Sequence, residues 1–214
     1  AVKGLGEKAI EEIVAHRPFV DAEDLLFRKD VSYRKLNKKV IDVLVRSQAL
    51  NGIVDERFSG LKHFWSAVAV KRPKTKKALL KNIEEFKPEG DFSNVEKIEY
   101  LVHLTGVYPF ELVLKPQLLS SLEANCVPPL SLFDEVLGAS WFVLRGITKR
   151  NTKKGREYWI LECIDPSGSE EVKCWGINPN KDRLDINGVY LIRPDYDPQW
   201  GFSVKGARNI KKIS

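Results

Sequence analysis

The sequence has no methionine and only three cysteines and three histidines among 214 residues. Each scarcity removes a class of chemistry. Cys126, Cys163 and Cys174 show neither paired metal-ligand spacing nor an even-numbered disulfide framework, which points to a reducing, cytoplasmic setting. His16, His63 and His103 lie far apart and in no HExxH or HxE pattern, so they read as surface or packing histidines. No apolar run approaches the ~18 residues of a membrane span, and no signal-peptide pattern is read in the sequence, so no membrane partner is expected. Neither a clustered-carboxylate motif nor a nucleophilic-lysine motif occurs. No catalytic residue, metal or cofactor is therefore assigned, and a stand-alone nuclease or ligase is set aside.

What the chain does have is apolar content, 43%, enough for a buried core and, at this length, a second one. Its net charge of +6 is unevenly spread. Residues 1–56 are balanced, 57–87 carry net +7, 88–140 carry net −6 and 141–214 carry net +5. Two basic blocks separated by an acidic one fit a protein that touches a polyanion in two places. A basic face that is merely solvated would carry the same charges.

The stretch Val2-Lys3-Gly4-Leu5-Gly6-Glu7-Lys8-Ala9-Ile10 reads as a tight turn opening a helix over 7–16. Ile10, Ile13 and Val14 line one face of that helix, and Glu7, Glu11 and Glu12 the other. Glycine lets a foreign backbone come close, and the unpaired N–H groups of a helix start favour an anion. With Lys3 and Lys8 beside it, the turn is a phosphate seat or a plain connector between helices. The turn has no helix before it and the chain opens on alanine, which reads as a piece of a longer protein.

Further along, Asp21 is a candidate N-cap of a second helix and Asn37 of a third that runs to about residue 50 and stops at Asn51-Gly52. The turn between them, Ser32-Tyr33-Arg34-Lys35-Leu36-Asn37, has no glycine. It would hold phosphate through Arg34, Lys35, Lys38 and Lys39 instead. The order resembles two helix-hairpin-helix units side by side. Helical spacing continues through Leu61, Phe64, Trp65, Val68 and Ala69, then through 78–86, and again from Asn94, taken as an N-cap, to His103. Residues 117–137 are less regular. Within them Leu-Ser-Leu-Phe resembles the short peptide by which bacterial proteins dock on the sliding clamp, with Leu130, Leu132 and Phe133 as contacts and Pro129 where glutamine is usual. Burial of Leu132 and Phe133 beneath a following barrel is the competing expectation.

From Trp141 the period changes to two. Strands are expected over 141–149, 157–164, 171–175, 188–193 and 202–210, with Trp159, Leu161 and Cys163 facing inward. Five strands in this order predict an OB-fold barrel, a fold that often binds single-stranded nucleic acid. Such a barrel needs aromatic platforms beside cations. The candidates are Arg145, Lys149, Arg150, Lys153, Lys154, Tyr158, Lys173, Trp175 and Trp200, with Arg156 and Tyr196 nearby.

Three stretches are similar to the C-terminal portion of the C-family replicative DNA polymerases of the bacterial type, the alpha subunit of DNA polymerase III. Lys3-Gly4-Leu5-Gly6-Glu7-Lys8-Ala9 with Arg17-Pro18-Phe19 resembles that family's hairpin segment. Leu36-Asn37-Lys38-Lys39-Val40-Ile41 resembles its next helix. Leu104-Thr105-Gly106-Val107-Tyr108-Pro109 resembles its step into the OB domain, although Tyr108 replaces the family's histidine and Val107 is inserted. Thr152-Lys153-Lys154-Gly155 and Asp165-Pro166-Ser167-Gly168 then resemble that domain's turns. Residues 57–95 match little, and the family's internal clamp peptide is not recognisable there. The resemblance implies an α+β chain: a tandem helix-hairpin-helix domain over 1–56, a basic helical segment over 57–115, and a connector with an OB-fold barrel over 116–214. It implies no polymerase active site here, no cofactor, and binding of double- and single-stranded DNA in support of processive synthesis. A phage-encoded parent would fit. The alternative is a protein-interaction module that docks the sliding clamp or other replisome proteins.

Overall fold

Helix α1 (Glu7–His16) begins directly after the Gly-Leu-Gly turn and stops before Pro18, as the residues dictate. The computed structural model describes residues 2–214, and the chain divides into two compact units, Ala1–Pro109 and Phe110–Ser214. The first unit is helical: α2 (Ala22–Phe27), α3 (Lys38–Arg46), α4 (Leu61–Trp65) continuing as a π-helical turn (Ser66–Val70), α5 (Lys76–Glu85) and α6 (Asn94–Thr105). Side-chain caps fix where these helices start. Asp21 accepts the Asp24 N–H, Asn37 accepts those of Lys39 and Val40, and Thr75 accepts that of Ala78. Two boundaries differ from expectation. Helix α3 stops at Arg46, because Gln48 turns the chain with φ +61°. The cap of α6 is Ser93, which forms a reciprocal pair with Glu96.

The stripes of these helices meet in one core that includes Leu25, Leu36, Ile41, Phe64 and Leu79, all fully buried. Each such side chain contributes about 1.5–3 kcal/mol of transfer free energy. Residues 58–92 supply much of the same core as the hairpins. Two buried polar side chains tie this region together, Asn82 at the π turn and His63 at α4. Asn82 donates to the carbonyls of Ala67 and Lys71, and the His63 ring accepts the Ser59 N–H at Nδ1 while Nε2 lies 2.8 Å from the Ile83 carbonyl.

The second unit opens with a 3₁₀ turn (Phe110–Leu112) followed by α7 (Pro116–Ala124), which the sequence reading missed although Pro116 stands at the first helical position. The sheet contains β1 (Ser140–Asn151), β2 (Glu157–Asp165), β3 (Gly168–Trp175), β4 (Val189–Ile192), β5 (Asp195–Asp197), β6 (Gly201–Lys205) and β7 (Ile210–Lys212), in spatial order β5-β6-β3-β2-β1-β4-β7. Seven strands replace the five expected, for a physical reason. The long final strand is broken at Gly206, whose φ of +80° no strand tolerates, into β6 and β7. Its first half pairs in parallel with β3 and its second half antiparallel with β4. The same chain segment thus joins the two ends of the curled sheet, as in an OB-like barrel. The extra strand, Asp195-Tyr196-Asp197, is too polar and short to stand out from a loop in the sequence.

Leu161, Cys163, Val172, Cys174, Tyr190 and Val204 fill this unit's core, and Trp159 packs half-buried against it. Burial pushes the Cys163 thiol well above its usual range and that of Cys174 up to about 12, so both act as small hydrophobic side chains. The expected burial of Leu132 and Phe133 is corrected. Leu130 is the residue that enters the core, Phe133 sits half-buried edge-on to Phe202, and Leu132 is 59% exposed. The 3₁₀ turn that carries them is fixed by buried Asp165, which accepts the Ser131 N–H and hydroxyl as well as the N–H groups of Ser167 and Gly168.

Candidate nucleic-acid interface

In the helical unit, Gly4 and Gly6 occupy different backbone states. Gly4 has φ +95°, and a Cβ there would sit 3.3 Å from a Val43 methyl. Gly6 is the extended N-cap of α1, has no side chain to cap the helix, and faces open space. The α1 start thus offers uncapped N–H groups at an unobstructed surface. The second turn is drawn to the same place. Gly4, Gly6, Lys8, Arg34, Lys35, Asn37 and Lys39 line a single shallow cavity of about 400 Å³ that holds no acidic residue. Two helix starts, α1 and α3, therefore meet at one basic surface. Lys8 and Lys39 sit in first turns, where a cation opposes the helix dipole, a cost that a bound anion would offset.

The turns are brought together by Glu12. The sequence pattern places it on the polar face of α1, yet it is 4% exposed. Its carboxylate accepts the Ser32 N–H at 2.5 Å and pairs with Lys35 Nζ at 2.8 Å. The hydrogen bond from Lys35, and then that from Ser32, holds the Glu12 carboxyl below the usual range, while Glu12 holds the Lys35 amine above its own. Lys35 is thereby a fastener as well as a cation. Arg72 supports the turn from within: it is buried, donates to the Tyr33 carbonyl at 2.6 Å, and lies 3.8 Å over the Tyr33 ring. Burial lowers its pKa. Three predicted contacts do not line this cavity. Leu5 packs on the core, Lys38 lines a neighbouring hollow with Asp42 and Trp65, and Lys3 is exposed, with its backbone N–H bonded to the Leu104 carbonyl.

On the barrel, strand register assembles a row across the outer face. Arg150 stands opposite Tyr158 on β2, and Trp175 on β3 stands opposite Lys205 on β6. Tyr158 and Trp175 stack at 4.7 Å with their planes 24° apart, and Arg156 lies 4.9 Å over the Trp175 ring. A second pair forms beside it: Lys173 Nζ lies 5.6 Å from the Trp200 ring and donates to the Trp200 carbonyl at 2.6 Å. Trp200 is 64% exposed. The result is a cation–aromatic–aromatic–cation row with a further platform one step along the sheet.

The face changes sign toward its other end. Arg145 lines a hollow with Glu162, Glu170 and Glu171, and donates to Asn187 at 3.0 Å. Gly146 there leaves room for the Glu162 carboxylate, which a Cβ would meet at 2.4 Å. Lys173 and Trp200 line the same hollow, so Arg145 shares this acidic end with the second platform and stands apart from the Tyr158–Trp175 stack. Lys149 alternates to the opposite side of β1 from Arg150 and pairs with Glu157 at 2.5 Å. Lys153 and Lys154 sit exposed in the β1–β2 turn that Gly155 closes. Lys205 was missed from the sequence, because only the parallel β3–β6 pairing puts it beside Trp175. Leu130, one of the three proposed clamp contacts, is locked in the barrel core. No group of metal-ligating side chains occurs among the described residues, and no helix among them is long and apolar enough to cross a membrane.

Residues 1–60 match the helix-hairpin-helix motif. The match covers both turns that line the basic cavity. Among solved structures the chain is similar to the p204 HINb domain, at 16% identity and a TM-score of 0.30, over 51% of this chain and 57% of that one. The chain thus spans little more than half the length of that domain. No curated protein matches.

Proposed function

We propose that this chain binds DNA, with the helix-hairpin-helix unit on the phosphate backbone of a duplex and the barrel's aromatic row on a single strand. The observation that carries the reading is the convergence of both hairpin turns on one acid-free surface, where Gly6 leaves the α1 start open and Lys8, Arg34 and Lys39 surround it. Contacts of this kind go to phosphate and are independent of sequence. The stacked Tyr158–Trp175 pair flanked by Arg150, Arg156 and Lys205 supports the single-strand part. In its finer form the proposal places the chain in a C-family replicative polymerase, where it would steady the template and product near a catalytic centre carried elsewhere. That form rests on the sequence resemblance.

Fluorescence anisotropy of a labelled duplex, titrated across salt concentrations, tests the hairpin part. Affinity is expected to fall steeply with salt, and the combined change of Lys8→Ala and Arg34→Ala should flatten the log–log slope by about 0.9 for each phosphate that is no longer neutralised. An unchanged slope and affinity in that variant would remove the hairpins from the interface.

A further inference from the structure

At the β4–β7 end of the sheet, a cleft of about 550 Å³ opens between α7 and the barrel. Its floor is aliphatic. Leu118 and Leu122 stand one turn apart on α7, and Leu191 of β4 and Ile213 beyond β7 face them. Its rim is basic, with Arg193, Arg208 and Lys211. Register places Lys211 directly opposite Leu191, which brings charge and apolar surface together. Not one lining residue is acidic. The contrast with the next residue is informative: Lys212, on the other side of β7, is matched by Asp185 at 2.7 Å, whereas Lys211, Arg193 and Arg208 form no ion pair among the described residues.

We propose that this cleft docks an acidic peptide segment carrying aliphatic side chains. The size falls within the range of built ligand sites. Three unmatched cations around an apolar floor call for alternating carboxylates and hydrophobic groups, the complement of what the cleft presents. Nucleic acid would satisfy the cations and leave the floor unused, because the cleft has no aromatic side chain on which a base could stack. The inference stands independently of the nucleic-acid reading, which uses the hairpin turns and, on the barrel, the face carried by β1, β2, β3 and β6.

The probe is a short fluorescein-labelled peptide of alternating aspartate and leucine, titrated with the full chain and followed by anisotropy. Two variants test the site. Ser121→Trp places a bulky ring in the cleft from an exposed position on α7, and the combined Arg208→Glu and Lys211→Glu change reverses the rim. Either should weaken the peptide by about tenfold or more with an unchanged far-ultraviolet circular dichroism spectrum. Replacing the peptide's aspartates with asparagine, or its leucines with glycine, should each abolish binding. Three results would overturn the proposal: equal binding of the glycine peptide, which would reduce the effect to bulk charge; undiminished binding to both folded variants; and displacement of the peptide by a single-stranded oligonucleotide whose own binding those variants abolish. Loss of duplex or single-strand binding to the Lys8, Arg34 or Trp175 surfaces would leave these outcomes unaffected.

Discussion

Two glycines separated by one leucine look alike in the sequence and do different work. Gly4 needs its left-handed backbone and has Val43 against the position of a Cβ, so Gly4→Ala should cost about 1–3 kcal/mol of stability. Gly6 is extended and faces open space, so a side chain fits there without strain. At an N-cap, aspartate satisfies helix N–H groups that glycine leaves open, a gain of a few tenths of a kcal/mol. Gly6→Asp should therefore raise the thermal midpoint slightly and weaken duplex binding severely, because its carboxylate takes the place of a phosphate. Denaturation and anisotropy on the same protein would show the two effects with opposite sign. A variant that stabilises and still binds fully would move the phosphate away from this helix start. The sequence marks this turn as a helix start but cannot rank its glycines, because φ is set by how the turn packs on α3.

At the scale of elements, what local chemistry controls was readable and what distant contacts control was not. Asp21 and Asn37 cap the helices they precede, and the β1–β2 and β2–β3 turns fall where Gly155 and Asp165-Pro166-Ser167-Gly168 place them. Glu12 shows the other case: a glutamate on a polar helix face becomes buried only because Ser32 and Lys35 arrive from twenty residues away. Likewise, the last strand's split follows from one glycine and the two partners its halves find. The Glu12 contact has a pH signature. Its carboxyl titrates lower in the folded chain than in the unfolded one, so its stabilisation is present above about pH 4.3 and is lost as pH falls through the lower folded value. Glu12→Gln keeps an acceptor for Ser32 but removes the charge that holds Lys35. This variant should unfold more readily at neutral pH and lose less stability on acidification than the parent. Circular dichroism melts across the acid limb would show it, and parallel curves for the two proteins would assign the pairing no role.

For the whole molecule, the question is why one chain carries two anion-facing surfaces of different kinds. A basic surface without aromatic side chains holds backbone in any form, whereas a stacked aromatic row holds only bases that are free to stack. Linked in one polypeptide, two such sites bind a nucleic acid that offers both a duplex and a single strand more tightly than either site binds alone, by as much as 10²–10⁴ where geometry allows simultaneous engagement. Gly6→Asp and Trp175→Ala separate the contributions. On a plain duplex Gly6→Asp should lower affinity and Trp175→Ala should not, whereas on a plain single strand Trp175→Ala should give the larger loss. On a primer–template junction each should lower it, and either one alone should bring the junction down toward the affinity of the remaining simple ligand. If the junction binds no better than the tighter of the two simple ligands, the surfaces act on separate molecules, and the reading of a single chain spanning the duplex-to-single-strand boundary fails.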